Sequence, residues 1–91
     1  MKKIAIITGA STGLGKYISI KLADKKYKVV IIARNKEKLE NVKEEINNFG
    51  NECLIISADI SQESSLDKIY SKIDNPKNIS ILVDNIRVPE N

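Results

Sequence analysis

The chain has 91 residues and a mass of 10.2 kDa, which is room for one domain, below the usual ~100–150 residues. Its apolar fraction of 42% and charged fraction of 30% are typical of a globular chain. The longest apolar run covers only residues 29–33, far short of the ~20 residues that cross a membrane as a helix. A single cysteine, Cys53, and the lack of histidine exclude an internal disulfide, a Cys/His zinc site and a histidine base within this chain.

The net charge of +3 is unevenly distributed along the chain. Residues 16–43 hold nine Lys/Arg against three Asp/Glu, whereas residues 44–76 hold two against seven. A basic half attracts phosphate on a nucleotide or on nucleic acid, although most of its lysines also fit solvated helix faces. The four aromatic residues are not interleaved with basic ones, which argues against a stacking platform for single-stranded nucleic acid. We expect no nucleic-acid partner, and nucleic-acid binding through the basic half is the least favoured alternative. The N-terminus shows no signal-peptide pattern, and we therefore expect a cytoplasmic protein without a membrane partner.

Four short apolar runs predict four β-strands. They cover residues 4–7, 29–33, 53–56 and 79–83. The runs are rich in β-branched residues, and most show no polar alternation. This pattern is typical of a parallel sheet that is covered on both faces.

Three helical patterns separate these strands. The first begins near Gly13 and carries apolar residues at Leu14, Ile18 and Leu22. The second begins after Asn35, a good N-cap, and ends at Gly50, with a stripe of Leu39, Val42, Ile46 and Phe49. The third begins at Ser61 and ends before Pro76, with Leu66, Ile69, Tyr70 and Ile73. The alternation of strands and helices predicts an α/β fold with right-handed crossovers.

A glycine-rich loop joins the first strand to the first helix. Gly9 lets the chain turn off the strand end, and Gly13 leaves space where a pyrophosphate approaches the backbone. Gly15 allows the helix to pack closely on the sheet, while Ser11 and Thr12 offer hydroxyl donors. The helix start adds free N–H groups and the positive end of its dipole. The alternative is a glycine turn that only tightens the strand–helix junction.

This loop, Thr8-Gly9-Ala10-Ser11-Thr12-Gly13-Leu14-Gly15, resembles the TGxxxGxG cofactor motif of the short-chain dehydrogenases/reductases. The resemblance continues at residues 29–35, 58–60 and 81–85, and so covers nearly the whole chain. It implies a Rossmann-like three-layer αβα fold and a nicotinamide dinucleotide as ligand. Cofactor contacts then fall on Gly9, Ser11, Thr12, Gly13, Leu14 and Gly15.

The end of the second strand predicts which nucleotide is bound. An NAD-preferring fold usually has Asp or Glu here, which accepts a hydrogen bond from the ribose 2′-OH. This chain has neutral Ala33 followed by Arg34, whose guanidinium suits a 2′-phosphate. Lys36 and Lys38 add positive charge, and the family resemblance also favours NADP(H). The alternative for Arg34 is a solvated charge, but a cation near a helix start opposes the helix dipole.

The resemblance adds three further cofactor contacts and one departure. It places Asp59 at the adenine ring with Ile60 beside it, although Asp59 also fits a simple turn before the next helix. It places Asn85 near the nicotinamide ribose. The family usually has Asn-Asn-Ala-Gly after the fourth strand, whereas this chain has Asp84-Asn85-Ile86-Arg87. Cys53 is interpreted as a buried strand residue.

No catalytic residue and no metal ligand is expected within this chain. The family's catalytic serine and its Tyr-x-x-x-Lys pair lie on later elements, where the tyrosine acts as general acid/base. Tyr17 and Lys21 have the right spacing, but they lie on the first helix beside the glycine loop and are interpreted as a surface pair. We therefore expect this chain to be inactive alone.

The predicted sheet is a partial parallel sheet of four strands in the order 3-2-1-4, within a single incomplete dinucleotide-binding domain at residues 1–91. The fourth strand is then an exposed edge, which favours a homo-oligomer or a partner strand. The favoured function is the NADP(H)-binding half of an oxidoreductase. The alternative is a non-catalytic nucleotide-binding or interaction module that pairs through its fourth strand.

Overall fold

The computed structural model describes residues 2–59 and 63–84. Its strands are β1 (Ile4–Thr8), β2 (Lys28–Ala33), β3 (Cys53–Ser57) and β4 (Ile79–Val83). Its helices are α1 (Gly13–Asp24), α2 (Lys36–Asn48) and α3 (Glu63–Ser71), and a short 3₁₀ turn, Pro76–Asn78, leads into β4. Each predicted strand is present, and three of the four are one residue longer than predicted.

The four strands form one parallel sheet in the order β3-β2-β1-β4, which confirms the predicted topology. β1 lies inside the sheet and pairs with β2 from Ile4 opposite Lys28 onward. Its other side pairs with β4, where the register shifts between Ile4 and Ala5. All five residues of β1 are buried, as expected for a strand with parallel neighbours on both sides.

Helices cover both faces of the sheet, so the molecule has three layers. One face packs against α1 and α2, and its buried residues are Ala5, Ile7, Ala10, Ala23, Val29, Ile31, Leu39, Val42 and Ile46. The opposite face packs against α3, and its buried residues are Ile4, Ile6, Val30, Ile32, Ile56, Ile69 and Ile73. Alternate residues of β1, β2 and β3 therefore enter different cores, which explains the unbroken apolar runs of these strands in the sequence.

The buried face of α1 differs from the predicted one. Its buried residues are Gly15, Ser19 and Ala23, whereas Leu14 is 63% exposed. Small residues let the helix backbone approach the sheet closely, and the larger apolar residues flank that line instead of forming it. The buried Ser19 hydroxyl is satisfied because it donates to the Gly15 carbonyl at 2.7 Å.

Helix α2 begins as predicted. The Asn35 side chain accepts a hydrogen bond from the Lys38 backbone N–H at 3.0 Å and so caps the helix. The predicted stripe is correct for Leu39, Val42 and Ile46, which are buried. Phe49 was expected on that stripe but is 67% exposed, because it lies at the C-cap, where the backbone leaves the helix.

Helix α3 is shorter at its C-terminal end than predicted. It ends at Ser71, and Pro76 begins the 3₁₀ turn instead of terminating the helix. Ile69 and Ile73 are buried as expected, whereas Tyr70 is 59% exposed. The predicted start at Ser61 lies outside the described residues.

Helices α1 and α2 end in the same backbone motif with different residues at its key position. After α1, Lys26 donates to Ala23 and Tyr27 donates back to Leu22. After α2, Gly50 donates to Asn47 and the next residue donates back to Ile46. This is the Schellman motif, whose turning residue has a left-handed backbone and is usually glycine. Gly50 has φ +79°, but Lys26 has φ +74° and carries a side chain there.

We predict that Lys26→Gly stabilises the chain. Glycine adopts the left-handed region freely, so the change removes a backbone cost but adds flexibility to the unfolded chain, for a net gain of about 0.5–1 kcal/mol. Thermal and urea unfolding followed by circular dichroism measure the gain. The matched control is Gly50→Ala, which places a side chain at the equivalent position and destabilises the chain by about 1 kcal/mol. A lower stability for Lys26→Gly would contradict the prediction.

Candidate cofactor site at the carboxyl ends of the strands

Because the strands are parallel, all four end at the same edge of the sheet. This carboxyl edge is formed by Thr8, Ala33, Ser57 and Val83 together with the residues that follow each of them. The loop from β1 to α1 begins at its centre. Crevices outside the carboxyl ends of such strands are where open α/β sheets bind ligands.

The glycine loop has the backbone that its sequence predicts. Gly9 and Gly13 have φ of +61° and +57°, in the left-handed region that favours glycine. A side chain added at Gly13 would meet no atom within 4 Å, so the space beside it is open. Gly15 is buried against the sheet, as expected. The Ala10 N–H donates to the Ile32 carbonyl at 3.3 Å, which fixes the loop beside the end of β2.

The start of α1 suits an anion. Thr12 is the N-cap residue, but its side chain makes no capping hydrogen bond. The first turn contains no acidic residue. The first N–H groups of a helix have no partner within the helix, and the helix dipole is positive there. Ser11 is half-buried, and Thr12 and Leu14 are exposed around this helix start. The hydroxyl and backbone N–H groups there are therefore accessible to a phosphate.

The end of β2 presents Arg34 to solvent while fixing its backbone. The Ser57 hydroxyl donates to the Arg34 carbonyl at 3.0 Å, and the Ala58 N–H donates to the Ala33 carbonyl at 3.0 Å. The Arg34 side chain is exposed beside the capped start of α2. Sequence reasoning missed the contact of Ser57, since a serine at the end of a strand carries no signal for a partner 23 residues away.

Two of the remaining predicted contacts lie outside the described residues. Asp59 follows β3 at the carboxyl edge and is half-buried. Ile60 and Asn85 are not among the residues that the structure describes. The structure therefore places the glycine loop, Arg34 and Asp59 along one edge.

A polar contact joins the ends of β1 and β4. The Thr8 hydroxyl lies 3.0 Å from the Asp84 carboxylate and 3.4 Å from the Val83 carbonyl, and Thr8 is only 1% exposed. Asp84, which departs from the family pattern in the sequence, was not expected to make this contact. The predicted strand order holds the relevant signal, because it places the end of β4 beside the end of β1.

Three further residues with potential chemistry are Tyr17 and Lys21 on α1 and Cys53 on β3. The Lys21 ammonium lies 5.5 Å from the centre of the Tyr17 ring on α1, in agreement with a surface pair. Cys53 lies on β3 and is half-buried where we expected it to be buried. Burial raises the pKa of its thiol to about 12, although the nearby Lys43 charge lowers it in part. Within residues 2–59 and 63–84, no group of His, Cys, Asp and Glu residues is arranged to hold a metal ion.

Comparison with known proteins gives consistent matches over nearly the whole chain. The family model for short chain dehydrogenase matches residues 3–90. An NADPH-dependent reductase of Bacillus subtilis, BacG, is 35% identical over 88 residues, which is 93% of this chain and 34% of that protein. A very-long-chain 3-oxoacyl-CoA reductase of Candida glabrata is 41% identical over 85 residues, which is 90% of this chain and 24% of that protein.

Solved structures show the same fold. A metagenomic short-chain oxidoreductase in complex with NADP matches with a TM-score of 0.86 at 32% identity, over 94% of this chain and 39% of that one. L-sorbose reductase from Gluconobacter frateurii, complexed with NADPH and L-sorbose, matches with a TM-score of 0.89 at 26% identity, over 99% and 35%. The chain thus spans between 24% and 39% of the length of these four proteins. No helix in the described ranges could cross a bilayer.

We predict that Thr8→Val destabilises the chain by about 1 kcal/mol, because it removes a partly buried hydrogen bond between β1 and β4 without changing the side-chain shape much. Unfolding in urea measures the change. Ser80→Ala is the control: its hydroxyl also bonds a carbonyl, but an exposed one, so the expected effect stays within about 0.5 kcal/mol. Equal effects of the two substitutions would contradict the prediction.

We predict that the Cys53 thiol is alkylated slowly in the folded chain. We also predict that its burial lowers the free energy of unfolding of the chain at high pH. The unfolded thiol ionises near 9.0 and the folded one near 12, so the unfolded state alone loses this proton first. The Cys53 contribution is therefore complete below pH 9 and decreases as the pH rises from 9 toward 12. Iodoacetamide kinetics at pH 8.5, with and without denaturant, test the first point, with exposed Ser80→Cys in a Cys53→Val background as the reactive control. Equal alkylation rates for Cys53 and this control would contradict the prediction, and comparing Cys53→Val with the parent across pH tests the second point.

Proposed function

Because the chain belongs to the short-chain dehydrogenase family, we propose that it binds NADP(H) along its carboxyl edge as the NADP(H)-binding half of an oxidoreductase. The observation that carries this proposal is the pairing of an open glycine loop with an exposed arginine. Arg34 follows the neutral end of β2, where an NAD-preferring site would place a carboxylate. The similarity to an NADPH-dependent reductase and to a short-chain oxidoreductase solved with NADP supports the same cofactor.

The glycine loop is proposed to hold the pyrophosphate. The open space beside Gly13 lets a phosphate approach the backbone. The N–H groups at the start of α1 then donate to phosphate oxygens, and the helix dipole favours the negative charge. Ser11 and Thr12 add hydroxyl donors at the same helix start, while Gly9, Gly15 and Leu14 shape the loop around it.

The residues after β2 and β3 are proposed to bind the adenosine end. The Arg34 guanidinium donates two parallel hydrogen bonds to the 2′-phosphate, a geometry that a single lysine ammonium does not offer. Lys36 and Lys38, exposed at the start of α2, add positive potential. Asp59 and Ile60, which follow β3, are proposed to contact the adenine. At the other end of the cofactor, Asn85 after β4 is proposed to contact the ribose near the nicotinamide.

The bound cofactor would supply the hydride chemistry, and residues of this chain bind and orient it. Residues 1–91 form a single incomplete dinucleotide-binding domain under this proposal, and they contribute no catalytic group. The chain is therefore expected to bind NADP(H) while turning over no substrate alone.

A second candidate is a nucleotide-binding module that pairs through β4. Within the described ranges, no strand pairs with the outer edge of β4, and its Leu82 is 66% exposed. An apolar strand edge favours pairing with another strand, from a second copy or from a partner. This candidate predicts a specific oligomer, which light scattering at several protein concentrations detects.

We predict that NADPH raises the unfolding temperature of the chain more than NADH does, and that Arg34→Ala abolishes the difference. A ligand that binds only the folded state stabilises it by mass action. Loss of charge-assisted hydrogen bonds costs about 1.5–3 kcal/mol, so the affinity for NADPH falls about 10–100-fold. Circular dichroism gives the unfolding temperature, and isothermal calorimetry gives the affinity.

The matched controls separate charge from geometry. Arg34→Lys keeps the charge but loses the paired hydrogen bonds, so an intermediate loss is expected. Lys68→Gln removes an exposed charge on α3 and should change neither nucleotide's effect. Equal shifts with NADPH and NADH in the parent chain would contradict the assignment of Arg34. A folded chain that responds to neither nucleotide would contradict cofactor binding itself.

A further inference from the structure

The amino ends of the strands carry a cluster of lysines on the edge opposite the proposed cofactor site. We call it the amino-edge lysine cluster, and it consists of Lys2, Lys3, Lys25, Lys26 and Lys28. Two stretches of chain meet there, because the Lys28 N–H donates to the Lys3 carbonyl at 2.9 Å where β1 and β2 begin. The topology thus brings together ammonium groups that are more than twenty residues apart in sequence.

Four of these lysines surround one shallow depression. Its volume is about 360 Å³ and its lining is Lys2, Lys3, Lys25, Lys26 and Tyr27, with no acidic residue. This volume is many times the space that one water molecule needs, so a small anion fits the depression.

The acidic residues nearby leave the positive charge of the depression in excess. Glu52 forms an exposed ion pair with Lys2 at 3.4 Å and lines the neighbouring depression instead. Asp24, the last residue of α1, is exposed and does not line the depression. Five lysines therefore face two carboxylates in this region, and such a cluster attracts anions.

The backbone at Lys26 gives a second and independent reason to assign a function here. Lys26 has a left-handed backbone, and the equivalent position after α2 is occupied by Gly50 in the same motif. A lysine near the C-terminal end of a helix also interacts favourably with the helix dipole. Lys21 and Lys25, however, already supply positive charge at the C-terminal end of α1. A strained residue at the rim of a charged depression points to a use for its side chain.

We propose that the depression lined by Lys2, Lys3, Lys25, Lys26 and Tyr27 binds a compact polyphosphate anion. Lysine ammonium groups bind phosphate as point charges, and several around one depression favour a multiply charged anion over orthophosphate. The site is independent of the cofactor. The six residues of β2 separate the two edges by about 20 Å, which is more than the ~8 Å screening length at physiological salt.

Calorimetric titration of the full chain with inorganic tripolyphosphate tests the proposal. Lys26→Gly should weaken binding about fivefold, the effect of losing one charge near 4 Å in water. This variant is expected to fold at least as well as the parent, so a loss of binding does not reflect unfolding. Lys3→Gln should act in the same direction, whereas Lys68→Gln on α3 removes an equal charge elsewhere and should leave the affinity unchanged.

Three results would overturn the proposal: no measurable binding, unchanged binding in Lys26→Gly, or the same loss in Lys68→Gln. Arg34→Ala is the control for tripolyphosphate binding at the carboxyl edge. A loss of affinity in that variant alone would also overturn the proposal. A parallel titration with ATP separates the two sources of the anion. Equal affinities support recognition of a free polyphosphate, and tighter binding of ATP that Lys26→Gly weakens supports a nucleotide. Because NADP(H) binding is measured separately, failure of either proposal leaves the other standing.

Discussion

The placement of every site described above depends on the burial of β1 between two parallel neighbours. Its five residues are all buried, and Ile4, Ile6 and Ile7 contribute about 1.5–3 kcal/mol each when fully removed from water. Because β2 and β4 run parallel to this strand, all three begin at one edge and end at the other. Burial of one apolar strand therefore determines which loops are neighbours. The positions of the polar residues in those loops follow from this arrangement.

The features that were predicted correctly from sequence are local ones. Apolar runs locate strands because parallel sheets bury both faces, and Asn35 locates a helix start because its side chain caps the next turn. The glycine loop is local as well, since positive φ at Gly9 and Gly13 is a property of those residues. Most of the fold and the turn at the glycine loop could be predicted for this reason, whereas the binding role of that loop stays a prediction.

The features that were missed depend on distant packing. Periodicity gave the spacing of apolar residues on α1 but not the rotation of the helix, which the small residues Gly15 and Ala23 determine by packing on the sheet. The pairing of Thr8 with Asp84 spans 76 positions, and no local pattern specifies it. The basic half of the sequence, residues 16–43, also does not form one surface. Lys25, Lys26 and Lys28 lie at the start of β2, whereas Arg34, Lys36 and Lys38 follow its end.

Under the two proposals, that division gives the two edges different means of holding negative charge. At the carboxyl edge, backbone N–H groups and the helix dipole act in fixed directions, and Arg34 adds paired donors, so the arrangement favours a ligand of defined shape. At the amino edge, flexible lysines supply charge with little directional preference. The contrast between Gly50 and Lys26 shows that the amino-edge lysine cluster includes a residue with backbone strain. The same helix-ending motif accommodates glycine without strain at one site, and at the other it retains an ammonium group against the preference of the backbone.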